Sequence, residues 1–233
     1  MTNNAAGKPV LICDTQPVAV EGLRSLLDTC DTLRFAGSVC SLEAASELTR
    51  TMVPAAVVLD KALGTKAILD WLQEAGLQGA GLHEAPHEAS PESATAGTTA
   101  PVVWGVGITE SEALRFLQAG ARGILRRTAV PETMLECLLA VTSGSTWMED
   151  GIFGTADNTL EPRRSRLTAR EHQIAELVEQ GLRNRDIGRT LGIQTGTVKI
   201  HLKHIFEKTG VRGRYSLALT GLREKGNLVM AHV

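Results

Sequence analysis

The chain has 233 residues, of which 43% are hydrophobic, and this is enough for about two domains, each with its own core. The formal net charge is only −2, yet residues 162–233 carry 14 Lys and Arg against 6 Asp and Glu, so the +8 of this part is balanced by −10 on residues 1–161. The basic part suits a polyanion, whereas the acidic part repels one. Because no stretch is apolar over the length of a membrane span and the first residues lack the pattern of a signal peptide, we expect a cytoplasmic protein without a membrane partner.

Short apolar runs alternate with stretches of helical spacing in the amino-terminal half. The runs predict strands because they are rich in Val, Ile or Leu and are bounded by Gly, Pro or charge, at 9–13, 33–40, 55–59, 101–106 and 122–125. Helical spacing follows each run, at 17–28, 41–50, 63–74, 109–119 and 131–141. Thr109 with Glu112 forms a capping box, and Pro131 suits a first helical position. Five strands alternating with five helices predict a doubly wound parallel sheet.

Three charged residues follow predicted strands, at the edge of the sheet where ligands of such folds bind. They are Asp14, Asp60 and Arg127. The segments VLICDTQPVAVEGLRSLL, VVLDKALG and AGARGILRRT resemble the receiver domains of two-component regulators, and the resemblance covers roughly residues 8–143. It implies that Asp60 accepts a phosphoryl group from a histidine kinase and that Asp14 is one ligand of Mg²⁺.

The sequence departs from the receiver pattern at most of the other functional positions. Thr15 replaces the second acidic residue, Gly105 or Val106 replaces the hydroxyl that senses phosphorylation, and Arg127 replaces a lysine. Because Mg²⁺ gains strongly from carboxylate charge, the loss of one carboxylate weakens metal binding and the neutralisation of phosphoryl oxygens. We therefore predict a pseudo-receiver without a cofactor, in which Asp60 is a hydrogen-bonded structural carboxylate. The alternative is a conventional receiver that uses Mg²⁺ and is phosphorylated at Asp60.

Residues 76–100 interrupt the receiver pattern with a run rich in Ala, Gly, Ser, Thr and Pro, so we predict a flexible insertion. Within it His83, Glu84 and His87 spell HExxH, a zinc-protease signature only where both histidines share one face of a rigid helix. Pro86 disfavours that helix, so we expect neither a metal site nor an enzyme. The cysteines have no CxxC spacing, and we expect free thiols at Cys13, Cys30, Cys40 and Cys137.

The segment from residue 167 onward predicts short helices joined by tight turns. Thr168 and Glu171 form a capping box for the first helix, and Gly181 is well placed as its left-handed C-cap. Asn184 is a candidate cap for the second helix, and Gly192 allows a tight turn into the third. Together these elements predict helix-turn-helix geometry.

The third helix, which begins near Thr197, carries an apolar residue on its outer face. Helical spacing turns Lys199, Ile200 and Lys203 outward or to the flank, together with His204 and Glu207. The residues turned inward are Val198, Leu202, Ile205 and Phe206. An isoleucine between two lysines gains nothing from water but fits a thymine methyl group, while the lysines reach phosphates or guanine edges. For this helix alone, a surface helix with one stray isoleucine is the alternative.

The patterns LTxRExxIAxLVxxGLxNxxI and TVKxHxxxIFxKxGVxxR are similar to the DNA-binding domain of NarL/LuxR-type response regulators, over residues 166 to about 225. The resemblance implies that the third helix enters the major groove of double-stranded DNA. The implied contacts are Lys199, Ile200 and Lys203 at bases, with Thr197 and His201 near the backbone. It also implies a homodimer through the fourth helix, at Leu217, Leu219 and Leu222. Gln194 stands where a serine cap is usual, and Thr195 is the candidate replacement.

Together these patterns predict an α/β, five-stranded doubly wound receiver-like domain at residues 1–143, a linker at 144–166 and a small all-α, four-helix helix-turn-helix domain at 167–233. We expect a DNA-binding transcriptional regulator that acts as a homodimer. In the favoured hypothesis the pseudo-receiver controls dimerisation or DNA binding through a protein or small-molecule signal. In the alternative a histidine kinase phosphorylates Asp60.

Overall fold

The structure is a computed structural model that describes residues 7–74, 99–152, 167–211, 213–226 and 228–231. Two predictions fall mainly outside these residues, namely the insertion with its HExxH string and the second half of the linker. In the described part of the chain, no helix is long and apolar enough to cross a bilayer.

Among the described residues of the amino-terminal domain, five parallel strands and five α-helices alternate, as the sequence predicts. The strands are β1 (Lys8–Cys13), β2 (Leu33–Val39), β3 (Ala56–Asp60), β4 (Ala100–Gly105) and β5 (Gly123–Arg126). The helices are α1 (Pro17–Leu27), α2 (Leu42–Met52), α3 (Thr65–Glu74), α4 (Glu110–Ala119) and α5 (Pro131–Thr142). The strand order β2-β1-β3-β4-β5 makes the sheet doubly wound. The capping box of Thr109 with Glu112 and the position of Pro131 are confirmed.

Apolar side chains hold helices against both faces of this sheet. The strands β3 and β4 are buried along their whole length, which explains their unbroken apolar sequence. On one face α1 and α5 pack with side chains such as Leu27 and Leu138. On the other face α2, α3 and α4 pack with side chains such as Leu72 and Phe116. Each fully buried side chain of this size contributes about 1.5–3 kcal/mol, so the core fixes where the strand ends lie.

Two further strands extend the sheet, which has seven strands among the described residues and not the five predicted. After α5, the strand β6 (Trp147–Glu149) runs parallel to β5, inside the segment predicted to be a linker without a clear element. At the end of the described chain, β7 (Val229–Ala231) pairs in parallel with β6. Strands of three residues are too short to show alternation, and β7 lies a whole domain away in sequence from its partner β6, so no local pattern indicates either strand.

Four helices form the carboxyl-terminal domain, as predicted. They are α6 (Ala169–Glu179), α7 (Asn184–Leu191), α8 (Thr195–Thr209) and α9 (Arg214–Glu224). The capping box of Thr168 with Glu171 is confirmed. Gly181 and Gly192 both have left-handed backbone, with φ of +83° and +66°, as their predicted places after helix ends require.

Two predicted helix caps are wrong. Asn184 is the first residue of α7 and not its cap, and its side-chain oxygen accepts a hydrogen bond from Arg214 Nη1 at 3.1 Å. Thr195 is likewise the first residue of α8, and the preceding Gln194 makes no side-chain capping bond. Both helices therefore begin without a side-chain cap, and tertiary contacts position their first turns.

Candidate functional sites

The outer face of α8 presents two lysines beside an exposed isoleucine. Val198 and Ile205 are fully buried where α8 packs on α6 and α7, and this burial fixes the rotation of the helix. Lys199, Ile200 and Lys203 consequently face solvent, and Ile200 is 57% exposed. The sequence therefore predicted the orientation of α8 correctly. Phe206, predicted to face inward, is only partly buried and packs at the margin of the core.

The flank of the same face holds the two residues predicted to lie near a nucleic-acid backbone. Thr197 and His201 are both partly buried at the sides of α8. Lys203 Nζ lies 3.8 Å from Glu207 Oε1, and both side chains are more than half exposed. An exposed ion pair of this kind contributes little to stability. Lys203 can therefore leave Glu207 and contact a phosphate or a base edge instead.

An ion pair on the inner side of α8 fixes this helix against α6. Lys208 Nζ donates to both oxygens of Glu171, at 2.8 and 2.7 Å. Thr168 N donates to Oε2 of the same carboxylate at 2.8 Å. Burial raises the pKa of Glu171, but the hydrogen bonds from Lys208 and Thr168 outweigh it and lower the pKa to about 2. Because the carboxylate is only 4% exposed, the pair acts as a rigid link between the two helices.

A glycine inside α7 lets the turn before α8 pass close to the helix. A Cβ atom on Gly188 would lie 2.7 Å from Ile193 O, which is backbone and has little freedom to move. Gly188 was not among the predicted residues, although a glycine inside a helical pattern often has a packing reason. Gly188 thus sets the angle at which α8 leaves α7.

The predicted dimer contact on α9 is covered within the chain itself. Leu217 and Leu219 are fully buried and Leu222 is 2% exposed. These leucines belong to one hydrophobic core with residues of α6 and of α4, so the core continues from one domain into the other. Because α9 packs on α6 of its own domain as well as on α4, a second copy reaches the part of α9 that contacts α4 only when α4 has moved away.

Two hydrogen bonds join the domains beside this apolar contact. Gln118 Nε2 of α4 donates to Glu179 O at the end of α6, at 2.8 Å. Ser216 Oγ of α9 donates to Glu110 Oε2 at the start of α4, at 2.7 Å. The structure is therefore a closed form in which α4 covers α9 while the outer face of α8 remains open.

The carboxyl ends of β1, β3 and β5 bring Asp14, Asp60 and Arg127 together. Arg127 Nη2 donates to Asp14 Oδ2, and Arg127 Nη1 lies 3.5 Å from Asp60 Oδ2. Backbone amides hold the other oxygens, since Gln16 N donates to Asp14 Oδ1 at 2.8 Å and Ala62 N donates to Asp60 Oδ1 at 3.1 Å. Both carboxylates are almost fully buried, whereas Thr15 is exposed. One guanidinium thus neutralises both carboxylates.

Trp104, at the end of β4, completes this pocket. The Arg127 guanidinium lies over its ring, with 4.5 Å between Cζ and the ring centroid. Stacking of this type suits the planar guanidinium better than an ammonium, so Arg127 is held by a ring and two carboxylates at once. The sequence analysis missed Trp104 because it reads as an ordinary core residue of a buried strand.

The pocket is a poor fit for a magnesium ion. Burial raises the pKa of Asp14, and the charge of Asp60 acts in the same direction, against the Gln16 amide and Arg127. Mg²⁺ requires oxygen ligands in an octahedral arrangement, but the space between the carboxylates holds the cationic end of Arg127. Among the described residues, no cluster of three or more His, Cys, Asp or Glu is arranged to hold a metal ion.

Lys61 occupies the place next to β4 where the receiver pattern has a hydroxyl. A Cβ atom on Gly105 would clash with Lys61 Cβ, so a side chain at position 105 does not fit. Lys61 Nζ instead donates to Gly107 O at 2.9 Å and to Glu112 Oε2 at 2.8 Å. Val106 is 74% exposed. The segment after Asp60 is therefore tied to the start of α4 by an ion pair.

Known proteins are similar to this chain both in its carboxyl-terminal domain and over nearly its whole length. Residues 165–220 match the family model of bacterial regulatory proteins of the luxR family. The nitrate/nitrite response regulator NarL of Escherichia coli K12 is 26% identical over 227 residues, which cover 93% of this chain and 96% of NarL. The transcriptional regulatory protein UhpA of the same organism is 32% identical over 115 residues, which cover 48% of this chain and 57% of UhpA.

The fold of the whole chain has solved counterparts. The response regulator RcsB of Salmonella typhimurium superposes with a TM-score of 0.50 at 15% identity, covering 92% of this chain and 98% of RcsB. At that identity the likeness concerns the fold. Together, these matches show that residues 165–220 are similar to the luxR family of bacterial regulatory proteins and that nearly the whole chain is similar to the response regulator NarL.

Proposed function

We propose that the protein is a transcriptional regulator that binds double-stranded DNA as a homodimer through the outer face of α8. The observation that carries this proposal is the exposed Ile200 between Lys199 and Lys203, on a helix whose rotation is fixed by its buried face. A methyl-rich side chain flanked by two cations matches the edges and phosphates of a major groove. The luxR-family match over residues 165–220 supports the same use of this domain.

The amino-terminal domain acts in this proposal as a pseudo-receiver that works without phosphorylation. The support is Arg127, which already neutralises Asp14 and Asp60 and lies in the space that a metal ion and a phosphoryl group require. The closed α4–α9 contact supports control through dimerisation, because the apolar face of α9 is covered while α8 is open. The input signal then shifts the balance towards a form in which α9 is free.

The DNA assignment is tested by fluorescence anisotropy with a labelled duplex at several salt concentrations. Lys199→Ala and Lys203→Ala each weaken binding, and a lysine that contacts phosphate lowers the salt slope by about 1. Ile200→Ala leaves the salt slope unchanged and loses discrimination at one base pair, where a mismatch typically costs about 1–3 kcal/mol. Lys66→Ala, at a 92% exposed side chain on α3, is the matched control and changes neither quantity. Unchanged affinity and selectivity in all three α8 variants reject the assignment.

The pseudo-receiver assignment is tested with beryllofluoride and Mg²⁺, which mimic a phosphoryl group on an aspartate. We expect no change in DNA affinity or in sedimentation, because Arg127 holds the site. Asp60→Asn preserves DNA binding, and Asp70→Asn on the exposed part of α3 is the control for a lost surface charge. A several-fold gain in affinity that Asp60→Asn abolishes overturns this part of the proposal and supports phosphorylation of Asp60 by a histidine kinase.

A further inference from the structure

The last described strand of the chain closes the sheet of the other domain. Val229, Met230 and Ala231 of β7 pair in parallel with Trp147, Met148 and Glu149 of β6. Between these two strands lies the whole carboxyl-terminal domain. The main chain therefore leaves the sheet, forms that domain and returns to the sheet by backbone pairing.

The return connection is short and ties α9 to the sheet. The helix α9 ends at Glu224 and β7 begins at Val229, so five Cα steps separate them. A fully extended chain spans at most about 17 Å over that distance. Leu228, within the connection, is 4% exposed and belongs to the core that also holds Met148 and Ile174. While β7 remains paired, α9 stays beside the sheet and close to α4.

We propose that β7 is a latch whose pairing with β6 must open before α9 leaves α4 and its apolar face becomes available to a second copy of the chain. The consequence for DNA binding rests on the proposed dimerisation through α9. The link between β7 and the closed form does not, because it rests on the short connection together with the burial of Leu228 in the shared core.

The two paired strands differ in how firmly they are held. Glu149 of β6 is 1% exposed, and its carboxylate accepts hydrogen bonds from Arg126 N at 2.8 Å and from Arg126 Nη2 at 2.6 Å. The strand β6 also pairs with β5, so it keeps one partner when β7 departs. In contrast, β7 lies at the edge, has β6 as its one neighbour in the described sheet and offers three residue pairs. The separable element is therefore β7.

Truncation provides the direct test. A chain that ends at Leu228 lacks β7 but keeps the buried Leu228, whereas a chain that ends at Ala231 keeps both and serves as the matched control. Amide hydrogen exchange is measured across residues 147–149 and across α4 and α9, together with sedimentation equilibrium and DNA affinity. In the shorter chain we expect several-fold faster exchange in all three segments, stronger self-association and several-fold tighter DNA binding, and in the control we expect wild-type values.

The outcomes separate the latch from the proposed function. Unchanged exchange in α4 and α9 after removal of β7 overturns the latch, because the domains then stay closed without it. Faster exchange without stronger self-association supports the latch and contradicts dimerisation through α9.

Substitution within β7 covers the case in which truncation prevents folding. Val229→Pro and Met230→Pro each remove a backbone donor from the full-length chain, and parallel pairing requires at least one of these two donors. The conservative changes Val229→Ile and Met230→Leu are the controls. The latch requires that one of the two proline variants reproduces the faster exchange, and its absence in both overturns the proposal.

Discussion

Replacing Arg127 by alanine removes the one cation that neutralises both buried carboxylates of the receiver-like pocket. The Arg127 side chain is only 18% exposed, and the side chains of Asp14 and Asp60 are 0% and 2% exposed. In the variant two buried negative charges face each other, and Asp60 Oδ2 has no hydrogen bond from the described residues to replace the lost ion pair. The variant therefore measures how much of the folded state depends on this internal counter-ion.

Removal of one partner from a buried charge pair costs about 3–5 kcal/mol, since the remaining charge is left uncompensated. Loss of the contact with Trp104 adds up to about 1 kcal/mol. We therefore expect the free energy of unfolding at pH 7 to fall by about 3–6 kcal/mol, summing these two contributions. Arg50→Ala, at an exposed position of α2, changes the same residue type and costs no more than about 0.5 kcal/mol.

The assay is urea unfolding followed by far-ultraviolet circular dichroism, with and without Mg²⁺ and at several pH values. Like-charge repulsion raises the pKa of one carboxylate in the variant above its unfolded value. The proton then stabilises the folded variant, so its deficit relative to wild type shrinks as the pH falls through that pKa. Mg²⁺ stabilises the variant, by about 2.7 kcal/mol at 100 times its dissociation constant, and leaves the wild type unchanged. A deficit below about 0.5 kcal/mol at pH 7, or equal Mg²⁺ effects on both proteins, refutes the role given to Arg127.

Two further predictions concern the packing of α8. Glu171→Gln removes a carboxylate whose pKa is lowered from 4.5 to about 2, so its stabilisation is complete above pH 4.5 and is lost as the pH falls towards 2. Because Lys208 is partly exposed, we expect Glu171 to contribute only about 1–2 kcal/mol to the free energy of unfolding. An acid titration in which the wild type and the variant lose stability in parallel contradicts this role of Glu171. Gly188→Ala costs about 1–3 kcal/mol because its Cβ meets Ile193 O, whereas Gly196→Ala, whose Cβ meets nothing within 4 Å, is neutral or stabilising by up to about 1 kcal/mol. Equal thermal shifts in these two glycine variants argue against the close approach.

The sequence predicts those parts of the molecule that depend on local spacing. The five central strands, their helices and the outward face of α8 follow from apolar periodicity, and the burial of Val198 and Ile205 confirms the rotation predicted for α8. Helix caps are harder to predict than helices and strands, although they too depend on neighbouring residues. The side chain of Asn184 is a good cap by type, yet it bonds to Arg214, thirty residues away, so a tertiary partner overrides the local preference.

The contacts between the domains and within the pocket could not be predicted from the sequence, because they join residues that are far apart in the chain. Trp104 and Arg127 are 23 positions apart and meet because neighbouring strands end at the same edge of the sheet. The strand β7 pairs with β6 across a whole domain, and three residues carry no periodic signal of their own. The family resemblance implies a dimer contact at the leucines of α9, but the sequence does not tell whether a second copy or the chain itself covers them. In this closed form α9 packs on α6 and on α4 of the same chain.

The open face of α8 and the covered face of α9 together determine how activation appears in a binding experiment. Lys199, Ile200 and Lys203 are exposed in the closed form, so under the proposed function we expect a single closed chain to reach a half-site. Separation of α9 from α4 adds no DNA contact to either chain. It instead lets two chains dimerise and place both α8 helices on one duplex. Each phosphate contact contributes about −0.9 to the salt slope, so the slope about doubles when two chains bind one duplex. The protein concentration at half-saturation of the DNA then depends on dimer formation. We expect this doubling in the chain that ends at Leu228 and not in the control that ends at Ala231. If affinity rises with an unchanged slope, opening acts on the contacts of one α8 helix, and control through dimerisation is refuted.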